Sequence, residues 1–515
     1  MQQDKDGVII SRNRELKTSQ LRDHAVRAAS GFASLGILPN DSVALLLRND
    51  FAFFEASLAA SHLGAYAVPV NWHFTADEVG YLLKDCEAKA LVVHADLLPV
   101  VRNAIPRHVH ILVVPTPPDI QATLSKDVEQ LNDFGGVLSW YEWIKGFEPL
   151  SQPAAGQRTS VIYTSGTTGR PKAVVREPAM GESAQALVEM GQLIFGMTPG
   201  RPFRTVLTGP AYHSAPNLFS LLAAQSGGLV VMPPRFDPEE LLEDIERYQI
   251  THLHMVPIMF IRLLKLPESL RNRYDLSSLQ YVVHAAAPCP ADVKRQMIEW
   301  WGPIIHEYYG GTETGAVVFH NSEEALRKPG TVGRPWSRGL VKVLDADNNE
   351  LPPGKIGSIY LRIRGFPDFV YKGMPDERRR IEVSGLITCG DVGYLDEEGF
   401  LFICDREKDM VISGGVNIYP AEIEGVLVGM PGIKDCAVFG IPDDEYGESL
   451  AAHVELQAGA TVTEHDIRDW LEPRIAKYKI PRVICFALDL PREDSGKIFK
   501  RRLRDTYWEG ITRRI

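Results

Sequence analysis

Short runs of Val, Ile and Leu punctuate the chain, VALLL at 43–47, ALVVH at 90–94 and HILVVP at 110–115, with amphipathic stretches such as Leu21–Leu35 between them. Brief apolar runs bounded by turn formers suit strands buried on both faces, and the amphipathic stretches suit helices that cover them. The rhythm is βαβ. It continues through TSVIYTS, GGLVVMPP, THLHMVP and LQYVVHAA, each closed by Pro, Gly or small polar residues, so parallel strands are expected there. Beyond residue 330 the texture changes to short strands with D-x-D-N-N and P-P-G-K turns, which predicts an antiparallel or β-barrel-like subdomain over 330–405. From 409 to 515 the pattern returns to mixed α and β, with helices expected at AEIEGVLVG and EHDIRDWLEPRI and a strand at DCAVFGIP. The whole predicts an α/β fold: a large N-terminal domain over 1–407, built of βαβ subdomains plus the small β-barrel-like one, then a small α+β domain over 408–515.

Composition narrows the class. A chain of 515 residues exceeds one hydrophobic core, so several domains or subdomains are expected. With 23% charged and 45% apolar residues it has the balance of an ordinary globular enzyme. The formal net charge of -11 offers no broad basic surface for nucleic acid, which leaves small molecules as the expected partners. No apolar run is long enough to cross a bilayer and the start, MQQDKDGVII, has no secretory pattern, so no integral membrane association and a cytoplasmic location are expected. Six cysteines (Cys86, Cys289, Cys389, Cys404, Cys436, Cys485) show no C-x-x-C or metal spacing and are expected to be reduced. A homodimer is expected only because dimers are common.

The strongest local signal is YTSGTTGRPKAV, Tyr163–Val174, where an apolar strand runs into a loop of glycines and hydroxyls closed by a lysine. Gly166 and Gly169 let backbone N–H groups approach anionic oxygens, Thr164, Ser165, Thr167 and Thr168 add donors, and Lys172 adds a positive charge. Such a loop suits a polyphosphate. A Walker loop would need G-x-x-x-x-G-K-[ST], whereas Arg170 and Pro171 separate Gly169 from Lys172 and no hydroxyl follows it, which argues against a P-loop ATPase or kinase.

This loop resembles the phosphate-binding signature of the adenylate-forming superfamily, which includes acyl-CoA synthetases, firefly-type luciferases and peptide-synthetase adenylation domains. Four further segments follow in the order that family shows, so the resemblance covers nearly the whole chain. YYGGTETG, Tyr308–Gly315, is similar to the family's aromatic-G-x-T-E segment. The resemblance implies that Tyr309 stacks on adenine with Glu307 and Tyr308 flanking the base, that Thr312 contacts the α-phosphate, and that Glu313, with Thr168, holds Mg²⁺. In TCGDVGYLDEEGFLFICDREKD, Asp391 and Arg406 match the residues the family places on the ribose hydroxyls.

KDMVISGGVNIYPAEIE resembles the opening of the family's small, mobile C-terminal domain. There Lys408 matches the hinge, Gly414 and Gly415 lie where pantetheine of coenzyme A passes, and Asn417 is placed with them. Tyr446, in GIPDDEYGES, falls where related ligases carry an aromatic residue near the CoA nucleotide. In LPREDSGKIFKRRLR, Lys497 matches the catalytic lysine of adenylation, while Lys500, Arg501, Arg502 and Arg504 are expected to form a solvated basic helix. His213, in PAYHSAPNLF, matches a residue bordering the acyl pocket, and HAAAPCP places His284, Ala285 and Ala286 near the acyl and adenine sites, with His284 and Ala285 departing from the usual glycine or serine. Two other departures are a short N-terminus, with part of the first strand and helix expected to be missing or replaced, and Ser358 where a Glu is common, for which there is no functional account.

The resemblance implies an ATP- and Mg²⁺-dependent, AMP-forming acid:CoA ligase. It forms an acyl adenylate, then passes the acyl group to CoA as the C-terminal domain rotates. The alanines and apolar residues predict a hydrophobic acid, best a medium- or long-chain fatty acid. The alternatives are an aromatic or bile-acid-like alicyclic acid, or delivery to a separate carrier protein, the chain having no GGHS- or GGDS-like phosphopantetheine site of its own.

Overall fold

The computed structural model describes residues 6–124, 138–154, 158–164, 171–198, 200–492 and 498–509. They divide into two compact units, neither continuous in sequence: Met1–Met255 with Leu266–Val283 and Ile363–Glu382, and Val256–Lys265 with His284–Arg362 and Val383–Ile515.

In the first unit the expected apolar runs become the all-parallel strands Ser42–Leu46, Tyr66–Pro69, Ala88–His94 and His110–Val114, with Leu138–Ser139 at the edge. Their side chains form one continuous core with those of the helix Ala76–Asp85, including Leu46, Val68, Leu82, Val93 and Val113. Thr75 and Glu78 start that helix through a reciprocal capping box. A second group of parallel strands contains Val8–Ser11, Leu229–Val231, Arg204–Val206 and His252–Met255. The N-terminal strand Val8–Ser11 is followed by the helix Thr18–Ser34. A third, antiparallel group joins Ile162–Thr164 to Lys172–Arg176 and Phe369–Tyr371.

In the second unit Ile305–Gly311, Gly315–His320 and Arg334–Pro335 pair antiparallel. The short strands expected over 330–405 form a sheet in the order Gly339–Leu344, Gly357–Ile363, Leu386–Leu395, Glu382–Val383, with Leu401–Arg406 paired to Leu386–Leu395. The expected D-x-D-N-N turn is held by Asp345 Oδ1, which accepts from the N–H groups of Asp347 and Asn349 at 2.9 and 2.8 Å. The last block places the helices Pro420–Val428 and Glu464–Leu471 and the strand Ile433–Asp443 where the sequence predicts them, around a core of Val411, Ile423, Val438, Val454, Ile467 and Ile484. The second helix stops two residues short of Pro473, which cannot continue it.

Candidate active site

The second unit brings Tyr309, Asp391 and Arg406 together. Asp391 and Arg406 are direct partners in the ladder between Leu386–Leu395 and Leu401–Arg406, which sets Arg406 Nε 3.7 Å from Asp391 Oδ1. Tyr309 donates its hydroxyl to Asp391 Oδ2 at 2.6 Å. Burial, then the neighbouring Asp391 carboxylate, push the Tyr309 phenol well above its ordinary pKa, so it stays a donor. An ionised carboxylate can accept about four hydrogen bonds, the capacity that a pair of hydroxyls calls for.

The strand carrying Tyr309 is shifted in register at Tyr309/Gly310. A Cβ on Gly310 would lie 1.8 Å from the Gly315 carbonyl oxygen, so only glycine lets the chain turn there. Thr314 Oγ1 accepts the Gly311 N–H at 2.8 Å and fixes the turn that holds the half-buried Thr312 and Glu313. Beside it sits Cys389, whose Sγ is 2.8 Å from where a Gly311 Cβ would be. Burial first, then the Glu313 and Asp391 carboxylates, raise this thiol far above its usual pKa, so it is no thiolate nucleophile. Among the described residues no three His, Cys, Asp or Glu side chains form a metal cage. Glu313 alone suits Mg²⁺, which takes one or two carboxylates plus substrate phosphates and waters.

Two expected site residues point elsewhere. Glu307 is 3% exposed and its carboxylate is bound by Lys294 and by His320 Nε2, the latter at 2.9 Å, so its side chain is engaged inside the unit. His284 is fully buried, 3.8 Å from Glu307 and edge-on to Phe260. Each lies in phase with the inward residues of its strand, Ile305 and Val282. Ala285 is buried, Tyr308 is half-buried, and Ala286 is exposed in the left-handed region at φ 75°.

In the first unit Thr164 and Lys172 are ladder partners, while Ser165, Gly166, Thr167, Thr168 and Gly169 lie outside the described residues. The Lys172 ammonium is turned inward, 2.5 Å from Glu377 Oε2 and 5.4 Å from the Tyr371 ring. That carboxylate is a partner which the sequence did not suggest for it. His213 is half-buried at the start of the helix Ser214–Gln225, its ring 4.5 Å from Tyr212, which meets Trp72 edge-on at 4.7 Å. Asn49 grips this segment, accepting from Ala211 N–H at 2.9 Å and donating to the Gly209 carbonyl at 3.1 Å.

Farther along the second unit Lys408 is exposed, and Gly414 and Gly415 form an exposed turn with φ of 57° and 82°. Asn417 is exposed beside them. Gly414 donates its N–H to the Tyr446 carbonyl at 2.9 Å, and the Tyr446 ring comes within 3.0 Å of the Gly414 Cβ position. The Arg482 guanidinium lies 4.8 Å from the centre of that ring. Lys497 lies outside the described residues. Lys500 is not solvated as expected: its ammonium binds Glu424 at 2.8 Å, while Arg501 and Arg502 are exposed and Arg504 approaches Asp409 at 3.7 Å.

The residues that sequence reasoning missed carry a recognisable signal. Lys294 shares the buried face of the helix Ala291–Trp301 with Met297, Ile298 and Trp301, and a lysine on an apolar stripe demands a buried anion.

The AMP-binding enzyme family model matches residues 1–366, and that of the AMP-binding enzyme C-terminal domain matches residues 422–497. The chain belongs to the AMP-binding enzyme family. This AMP-binding enzyme is 29% identical over 514 residues to the fatty acid–[acyl-carrier-protein] ligase ScoC of Streptomyces coeruleorubidus, covering 98% of this chain and 94% of that one. It is 30% identical over 495 residues to a feruloyl-CoA synthase of an Amycolatopsis species, covering 95% and 93%. The solved structure of ATP-bound MatB from Rhodopseudomonas palustris matches with a TM-score of 0.81 at 27% identity, covering 98% and 97%. The protein is thus a mixed α/β member of the adenylate-forming superfamily and an AMP-forming acid–thiol ligase. No helix among the described residues is long and apolar enough to cross a membrane.

Proposed function

We propose that this ligase joins a hydrophobic carboxylic acid, a medium- or long-chain fatty acid, to coenzyme A by way of an acyl adenylate. The observation that carries the adenylating half is the Tyr309–Asp391–Arg406 arrangement, a carboxylate oriented by a phenol beside a guanidinium, the chemistry that a ribose diol calls for. Bound Mg²⁺ would supply charge neutralisation at the phosphates, with Glu313 as its protein ligand. The acid's carboxylate oxygen attacks the α-phosphorus, pyrophosphate leaves, and the developing charge calls for a cation, the role given to Lys497. For the second half, the exposed Gly414–Gly415 turn beside Tyr446 and Arg482 supports CoA: glycines let a thin pantetheine arm run close to backbone, and an aromatic ring with a guanidinium suits a phosphorylated adenine. The CoA sulfur attacks the acyl carbon and AMP leaves. A domain boundary at 407/408, with rotation about Lys408, would exchange the two sets of tools.

The relatives divide between CoA and carrier-protein acceptors and between fatty and aromatic acids, so the test is a matrix. Pyrophosphate release and acyl-CoA formation are measured over fatty acids of graded length and over cinnamate-like acids, with CoA or a phosphopantetheinylated carrier protein as acceptor. The expected result is highest turnover with a fatty acid and CoA. Thioester on the carrier alone, or a preference for ring acids, overturns the corresponding part. Lys497→Ala is expected to abolish adenylate formation while sparing thioester formation from supplied acyl-AMP, and equal loss of both halves would sink that division of labour.

A further inference from the structure

Beneath the adenylate-facing segments of the second unit lies a buried cluster of charge that the reaction itself does not use. Glu307 sits at its centre. Lys294, from the helix Ala291–Trp301, donates to Glu307 Oε2; His320, from the strand Gly315–His320, places Nε2 2.9 Å from the same oxygen and 3.0 Å from Lys294 Nζ, and its Nδ1 faces the Asn321 carbonyl at 3.0 Å. His284, the last residue of its strand, brings Nε2 to 3.8 Å from that oxygen. All four side chains are at most 5% exposed. Burial works to raise the Glu307 pKa, but Lys294, His284 and His320 outweigh it and hold the carboxyl well below its ordinary range.

The sequence positions of these groups say what the cluster is attached to. Glu307 is two residues before Tyr309, and His284 immediately precedes Ala285 and the strained Ala286. One oxygen therefore anchors the root of the Tyr309 segment to the helix Ala291–Trp301 and the strand Gly315–His320, with the end of the His284 strand 3.8 Å away. A buried charge has few alternative partners, so its geometry is sharply defined; a purely apolar contact at the same point would let either strand slide.

We propose that Lys294 and His320, acting through Glu307, are positioning residues for the nucleotide: they fix the height and register of the Tyr309 strand, so that the cluster serves ATP affinity while touching none of the substrates. This rests on the adenylating reading of Tyr309 and Asp391. It deepens that reading by predicting an effect confined to ATP. A merely structural cluster would lower stability and disturb all substrates alike.

The experiment measures steady-state constants for ATP, acid and CoA with the full-length enzyme. Wild-type enzyme must first release pyrophosphate from ATP in an acid-dependent manner; failure there removes the ligase reading itself, independently of the cluster. Glu307→Gln is expected to raise the ATP KM at least tenfold while the KM for acid and for CoA stays within twofold. Equal shifts in all three, or an unchanged ATP KM in a folded variant, overturn the proposal. Because Glu307→Gln leaves Lys294 buried without its anion and can unfold the unit, the double variant Lys294→Met/Glu307→Gln removes both charges together. It is expected to restore the melting temperature towards wild type while keeping the raised ATP KM, whereas recovery of both would show that the cluster only stabilises the fold.

Discussion

Replacing Tyr309 by Phe removes one oxygen and keeps the ring, which isolates the 2.6 Å bond to Asp391 from any stacking role. Without that bond the carboxylate loses one of its restraints and gains freedom to turn about its side-chain bonds. A hydrogen bond to an ionised group contributes about 1.5–3 kcal/mol net. The Asp391 side chain is 13% exposed, so water replaces part of the loss, and we take the lower end, about 1.5–2 kcal/mol. At about 1.4 kcal/mol per decade this raises the ATP KM roughly tenfold to thirtyfold. The assay is acid-dependent pyrophosphate release over an ATP series, repeated with 2′-deoxy-ATP and 3′-deoxy-ATP. If Tyr309 works by orienting the carboxylate that binds the ribose, losing a hydroxyl and losing the phenol act through the same group, and their effects fall short of additive. An ATP KM within twofold of wild type, or strictly additive losses, would refute the reasoning.

Two further substitutions probe independent features. Gly310→Ala sets a Cβ 1.8 Å from the Gly315 carbonyl oxygen, which backbone movement alone can relieve; overpacking costs about 1–3 kcal/mol, so calorimetric ATP affinity should fall roughly tenfold to a hundredfold, and unchanged affinity would show that the turn does not shape the site. Asp244→Asn tests a buried acid away from it: burial first raises the Asp244 carboxyl from 3.8 to about 6, against the pull of Arg12, in a small cavity lined by Val206, Thr208 and Pro233. Because the folded pKa lies above the unfolded one, the folded state holds the extra proton and stability falls as pH rises from about 4 to about 6. The shift corresponds to about 3 kcal/mol at most, and roughly 1 kcal/mol after solvent screening. The Asn variant should therefore match wild type in denaturant titrations near pH 4 and exceed it by that amount near pH 7.5, and a difference independent of pH would contradict the burial argument.

The parallel strands of the first unit are legible because each is a short apolar run closed by turn formers, a local signal. The division into units is not, because Val256–Lys265 and Ile363–Glu382 each join a unit distant from their chain neighbours. In the site, Tyr309, Asp391 and Arg406 belong to ordered motifs, and the ladder between the last two explains how they meet. Lys172 shows the limit of that approach. Its motif placed a cation near phosphate, but the charge it meets here is Glu377, brought by a helix about two hundred residues away in sequence, which no local pattern reveals.

The buried cluster makes the same point from the opposite side. Lys294, Glu307, His284 and His320 each occupy an apolar phase of their own element, in step with Met297, Ile305, Val282 and Val318. Taken singly, each is unremarkable, since a lone buried histidine is usually structural. Four such breaks of pattern within Val282–His320 are different, because each ionised group left alone in a core would cost several kcal/mol. The inexpensive solution is that they meet. Summing the exceptions within one stretch, instead of judging each against its own element, would have foretold the cluster and shown that Glu307 faces inward.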